Sequence, residues 1–426
     1  ISNSVSIGAY GNPGLADAYG VVDFGDMQGN RLGFGIGVNK EFNLNNGSMT
    51  VTNALVDFFT PGLGGSVRVA GRVAGTALQP AMATLNFVNS TVTMTNTSGN
   101  GPGFHVRSGA EESVATTGIV NFIGGSYFIS NGHFSVGTEG GTVANPNFGQ
   151  VNFVGTTGSI TVNDRDMAVG NNGQQVLGQV IYSGGTNSVT GTKLVLGRDG
   201  GRGDILITNG GKLTMNFGDM EIGYGVKGTT TNSLGNLLVS SNSLMQGLVI
   251  SNRLELGMGI NEAASFGRVD LGNMQGSNFI MGATTNAWDM KVGNGSFLVT
   301  NATAIFGKDA STNLGNINIG TALPSTGVVK FVNSTVNLSN VGSITVAGSI
   351  NVGNGDSRNV GSFIVEGGTN MGNVENINMG NNGGGSGTIV FGGAGTISNV
   401  NVTIGNAASG NNNLMLTNLS LIHISE

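Results

Sequence analysis

An apolar residue followed by glycine recurs along this chain, and that recurrence limits the fold more than any other feature. The steps are Val136-Gly137, Val169-Gly170, Leu196-Gly197, Ile222-Gly223, Leu256-Gly257, Val292-Gly293, Ile319-Gly320, Val352-Gly353, Met379-Gly380 and Ile404-Gly405. Their glycines lie 33, 27, 26, 34, 36, 27, 33, 27 and 25 residues apart. Each step usually leads into a Gly/Asn loop and then a short alternating strand, as in LGRDGGRGDILITNGGKLTM from Leu196 to Met215. Phrases such as Asp204-Ile205-Leu206-Ile207-Thr208, Ser362-Phe363-Ile364-Val365 and Ser159-Ile160-Thr161-Val162 are β-branched and bounded by Gly or Asn, which marks strands. One such unit cannot bury its apolar side alone, whereas stacked units share a continuous core. Glycine and asparagine tolerate the positive φ angles that tight corners require. The expectation is an all-β solenoid with irregular coils of about 30 residues.

Longer echoes point to a duplicated block. FVNSTV stands at Phe87 to Val92 and again at Phe331 to Val336, 244 residues on. GVVDFGDMQGN at Gly20 to Asn30 matches GRVDLGNMQGS at Gly267 to Ser277, 247 residues on. GSITV occurs at Gly158 to Val162 and at Gly342 to Val346. The two nearly equal offsets imply duplication of roughly eight units. Residues 1–418 are expected to form a single β-solenoid, with 39–132 less regular and carrying longer loops. The last residues, Leu419 to Glu426 (LSLIHISE), break the Gly/Asn style and resemble the translation of a sequencing adapter. They are expected to be a non-native tail on a fragment of a longer chain.

Composition narrows the function classes. Glycine supplies 77 of 426 residues, proline 6, and charged residues only 9%. Solubility must come from Asn, Ser, Thr and Gly, which suits strands joined by polar turns and disfavours exposed helices. A net charge of −6 gives no footprint for nucleic acid. No apolar run is long enough for a membrane-spanning helix, so no membrane insertion of this segment is expected. Cysteine is absent, which removes disulfides and thiolate metal sites.

The apolar-Gly steps, Asn/Gly loops and ITV-type strands together resemble autotransporter-associated β-strand repeats and the repeat regions of secreted proteins with PEP-CTERM-type sorting tails. The likeness covers most of 132–418 and, more weakly, the N-terminal part. It implies a right-handed parallel β-helix, export, and an extracellular or bacterial cell-surface location. It carries over no catalytic residues.

The densest charge clusters are the candidate sites. Asp164, Arg165 and Asp166 place two carboxylates around an arginine, the raw material of a glycan-cleaving groove. Arg198, Asp199, Arg202 and Asp204 follow one coil later and contain an RGD tripeptide that also nearly matches a calcium-binding nonapeptide. Calcium needs six to eight oxygens, which that motif supplies only in tandem, so calcium is unsupported and no cofactor is expected. Gly353-Asn354-Gly355-Asp356 is a second isolated near-miss. His105 and His133 each stand alone at no metal-ligand spacing. The phenylalanines alternate with polar residues and read as a core stack. Thr91-Val92-Thr93 suggests an ice-binding array, but spacings of 25 to 36 residues are expected to break its phase. The reading is therefore a non-catalytic structural or adhesive stalk of an exported bacterial surface protein, with a surface glycan or another cell-surface protein as partner. The alternative is a polysaccharide-binding or polysaccharide-cleaving β-helix. That alternative requires acids, with Arg or Lys, converging on consecutive coils.

Overall fold

The computed structural model describes residues 5–8, 19–35, 41–60, 66–70, 81–96, 103–108, 115–138, 146–173, 175–225, 232–258, 265–284, 286–307, 314–320, 325–338, 341–346, 359–380, 385–398, 401–404 and 411–417. Among these residues there is no helix, and every strand pairing is parallel. The chain is a parallel β-helix. It divides into two compact units, Ile1–Thr214 and Met215–Glu426.

In the first unit each coil feeds three ladders. The first ladder runs through Gly20–Asp26, Gly47–Thr52, Ala81–Val88, Thr116–Ile123, Asn147–Val154, Val176–Ser183 and Arg202–Thr208. The second runs through Arg31–Gly35, Leu55–Thr60, Thr91–Asn96 and Ser126–Asn131, then the leading halves of Thr157–Asn171 and Thr186–Arg198. The third runs through Val5–Ile7, Glu41–Leu44, Ser66–Val69, Gly103–Ser108 and His133–Thr138, then the trailing halves of the same two strands. The second unit repeats the scheme, with first-ladder strands from Leu234–Val239 to Asn413–Thr417. Paired residues on that ladder are 25 apart at Gly178 and Gly203 and 36 apart at Gly47 and Ala83. The pairing nevertheless stays in register. The expectation that unequal spacing would break the phase of the threonine rows is therefore wrong: Thr91, Ser126, Thr157 and Thr186 pair directly.

The apolar-Gly step is the hinge between the third and first ladders. Val169 points into the core, and Gly170 then turns at φ +64. A Cβ on Gly170 would lie 1.8 Å from the Arg202 carbonyl oxygen, and one on Gly203 would lie 2.0 Å from that of Val169. The backbones touch, so no side chain fits. In the stretch 39–132 the same turn is made by Ala70 at φ 51 and Arg107 at φ 50, which hides it from a search for glycine. At the corner between first and second ladders Asn89 sits at φ 47 and donates its N–H to the Ile123 carbonyl on the next coil, 2.7 Å away.

The core is a stack of inward side chains. Phe87, Phe122, Phe153 and Tyr182 lie one per coil with centroids 5.2, 5.0 and 4.9 Å apart. Burying each ring is worth about 1.5–3 kcal/mol, and each contact adds about 0.5–1.5 kcal/mol. Outside the same strands the amides of Asn86, Asn121 and Asn152 bond in series at 2.8 and 2.7 Å.

The repeated phrases fold alike. The strands holding Gly20 and Phe87 precede those holding Gly267 and Phe331 by eight first-ladder strands each. Gln28 and Gln275 both turn at positive φ, 52 and 51, beside a bulge in each ladder pairing. The Ser90 hydroxyl accepts from the Ala54 N–H and that of Ser334 from the Ala302 N–H, both at 3.1 Å. GSITV behaves differently: Gly158 to Val162 lies on the second ladder, whereas Gly342 to Val346 lies on the third.

Candidate functional site

The second unit gathers charge on the outward side of its third ladder. Three phrases before consecutive steps alternate charged and apolar residues: Asp219-Met220-Glu221-Ile222, Arg253-Leu254-Glu255-Leu256 and Asp289-Met290-Lys291-Val292. The strand alternation sends Met220, Ile222, Leu254, Leu256, Met290 and Val292 into the core, all fully buried. The charged residues must then face outward. Arg253 pairs in register with Asp289, and Glu255 with Lys291. Arg253 Nη2 lies 3.4 Å from Asp219 Oδ2 and 3.3 Å from Glu221 Oε1, and its Nη1 lies 3.7 Å from Glu255 Oε2. Lys291 Nζ lies 3.6 Å from Glu255 Oε1 and 3.3 Å from Asp289 Oδ2. On the following coils the rows pass to uncharged partners, with Asn316 opposite Asp289 and Asn318 opposite Lys291.

The electrostatics follow from burial. The Glu221 and Glu255 side chains are 5% and 7% exposed, while Arg253 is 38% exposed. Burial raises the Glu255 carboxyl above its ordinary range; Arg253 and Lys291 pull it back, and Glu221 adds to the rise. Burial alone would lower Arg253, but Glu255, Asp219, Glu221 and Tyr224 outweigh it and keep the guanidinium charged. Four carboxylates thus share two cations. Glu255 Oε2 is buried and accepts no hydrogen bond. Chemically, the arrangement can tie three coils together, and it holds one carboxyl that is easier to protonate than usual. Among the described residues no group of three or more metal-ligating side chains could hold a metal ion.

The residues singled out by sequence do not converge. The side chains of Asp164 and Arg165 lie outside the described residues. Asp166 pairs in register with Lys193 on the third ladder. Arg198 bonds its neighbour Asp199 at 3.4 Å, at the corner beyond that ladder. Arg202 Nε bonds Asp204 Oδ2 at 3.0 Å on the first ladder, where the Asp204 side chain is 3% exposed. The RGD tripeptide therefore keeps its carboxylate inside the molecule. Gly353 to Asp356 lies outside the described residues.

Sequence reasoning treated His105 and His133 as isolated, yet they meet on adjacent coils with ring centroids 5.4 Å apart. It also missed the charged ladder. Asp219, Arg253 and Asp289 are 34 and 36 residues apart, beyond any local motif. The signal was available by alignment on Gly223, Gly257 and Gly293, which puts the charges two and four places before each step. No protein-family model matches this chain, and no curated protein or solved structure does, so its function has to be read from this geometry.

Proposed function

We propose that this chain is a non-catalytic structural or adhesive stretch of an exported bacterial surface protein. The observation that carries the reading is the pairing of charge across coils. Arg253 and Lys291 are each bracketed by carboxylates of their own and neighbouring coils, so the charge ties the stack together. Another outward row is built of amides, the Asn86, Asn121 and Asn152 series. Export and surface display rest on the resemblance to autotransporter-associated repeats.

Arg253→Gln tests the role of the ladder. Removing the guanidinium from Glu221 and Glu255, of which Glu255 keeps Lys291, should cost about 2–3 kcal/mol, less than for a fully buried pair because Arg253 is partly solvated. Denaturant melting measures this, and an unchanged midpoint would remove the structural role. Antibodies to the chain should label intact cells that carry the gene; labelling only after permeabilisation would remove surface display.

A polysaccharide-cleaving reading is favoured by one observation, the raised Glu255 carboxyl beside Glu221, Arg253 and Lys291. Release of new reducing ends or unsaturated uronides from a polysaccharide panel, abolished by Glu255→Gln, would establish it in place of the first.

A further inference from the structure

On the first unit, the outward side of the second ladder presents an uncharged hydroxyl array. Thr91, Ser126, Thr157 and Thr186 form one in-register row. Thr93, Phe128, Ser159 and Ser188 form the next, and Thr95, Ser130, Thr161 and Thr190 the third. Eleven of these twelve positions are Ser or Thr, and the twelfth is Phe128. Rows and columns follow the spacings of a parallel sheet, ~4.8 Å between coils and ~6.7 Å between alternate residues. The corresponding middle row of the second unit holds Ile280, Ile305, Asn337 and Met371, while its first row keeps Thr303, Thr335 and Thr369, so hydroxyls in the middle row are not a necessity of the fold.

Phe128 is the anomaly. Its neighbours Tyr127 and Ile129 are buried in the core, and strand alternation turns Phe128 outward, 47% exposed. Leaving a phenyl ring half exposed forfeits part of the stabilisation its burial would give. The ring stands in the middle row, with Thr93 and Ser159 beside it along the ladder. An aromatic face surrounded by short hydroxyls matches the two sides of pyranose chemistry. The ring's axial C–H face packs on the aromatic, and its equatorial hydroxyls exchange hydrogen bonds with Ser and Thr. These four coils carry no charge on this face, and Asp57, opposite Thr93 on the preceding coil, is already paired with Arg31. An ionic ligand would lose hydration without gaining a free counter-charge, which selects a neutral one. Four coils span about 14 Å, which suits an extended chain better than one sugar.

We propose that this face binds a neutral polysaccharide, with Phe128 stacked on a pyranose ring and the surrounding hydroxyls bonding the chain. The proposal deepens the adhesive reading and rests on it. The test is affinity electrophoresis in galactomannan, xyloglucan and mixed-linkage glucan, with sedimentation on cellulose and chitin, alongside alginate and polygalacturonate. The chain should be retained by at least one neutral polymer. Phe128→Ser should weaken that retention about tenfold, and Ser159→Lys should weaken it too, with melting curves showing both variants folded. Retention unaffected by Phe128→Ser, retention by anionic polymers alone, or no retention by any neutral polymer would each overturn the proposal. Slowed ice growth that strengthens in Phe128→Ser would instead mark the array as a surface for ordered water. Adhesion to cells that persists without polysaccharide binding would sink this proposal and leave the adhesive reading standing.

Discussion

At the residue scale, the decisive positions are those where two backbones touch. Gly170 needs φ +64 and has a carbonyl 1.8 Å from where a Cβ would stand. An alanine there adds a left-handed penalty of about 1–2 kcal/mol and an overpacking cost of about 1–3 kcal/mol. Gly170→Ala should therefore lower stability by about 3 kcal/mol in a denaturant titration; a loss below 1 kcal/mol would mean that the coils do not approach so closely. His105 matters through its buried imidazole. Burial, then His133 and then Arg68, hold its pKa down at about 3, against an ordinary 6.5. The folded state thus binds fewer protons than the unfolded chain between those values. Its stability is full above pH 6.5 and falls progressively as the pH drops toward 3. The gap corresponds to roughly 4–5 kcal/mol at its fullest. Melting at pH 7 and at pH 4 should show a steeper acid loss in the native chain than in His105→Asn, and parallel losses would refute the burial of that imidazole.

At the element scale, strands are stapled by whatever fills the space between them. Trp288, the one tryptophan, is buried just before the strand Asp289–Val292. A Cβ on Gly315 would lie 2.0 Å from its indole ring, and one on Gly282 2.2 Å. The two glycines form the slot that the indole occupies, with Phe306 5.7 Å away on the core side. Gly315→Ala should displace the ring, cost about 1–3 kcal/mol and shift the emission to the red. Emission and quencher access identical to those of the native chain would show that the slot has room to spare. The core stacking of the phenylalanines was legible from alternation. The slot was not, because Gly282 and Gly315 read as ordinary turn glycines until the indole is seen between them.

At the scale of the whole molecule, each coil contacts mainly its neighbours, so stability should be nearly additive in coils. Gly178 pairs with Gly203 and Leu177 with Arg202, so deleting 178–202 joins Leu177 to Gly203 in register. That deletion should preserve the β-sheet circular dichroism and shift the melting point by only a few degrees, whereas deleting 178–190 should abolish cooperative melting. Equal damage from both would show that the coils are not modular. The duplicated phrases support the same picture, since each rebuilds its corner in full: Asn89 and Asn333 both turn at φ 47.

The sequence alone determined the alternating strands, the glycine and asparagine corners, the coil length near 30 residues and the eight-unit duplication. It also determined which side chains face inward. These are local properties, set by period-two alternation and by the few residue types that tolerate positive φ. Only the tertiary structure decided which outward residues become neighbours. Coil-to-coil register is enforced by corner hydrogen bonds and backbone contacts, while the spacing of paired residues varies from 25 to 36, so sequence distance does not report adjacency. That is why Asp219, Arg253 and Asp289 form a ladder that no local motif announces. It is also why one pentapeptide lies on two different ladders, and why the hydroxyl rows around Phe128 stay in phase across coils of unequal length.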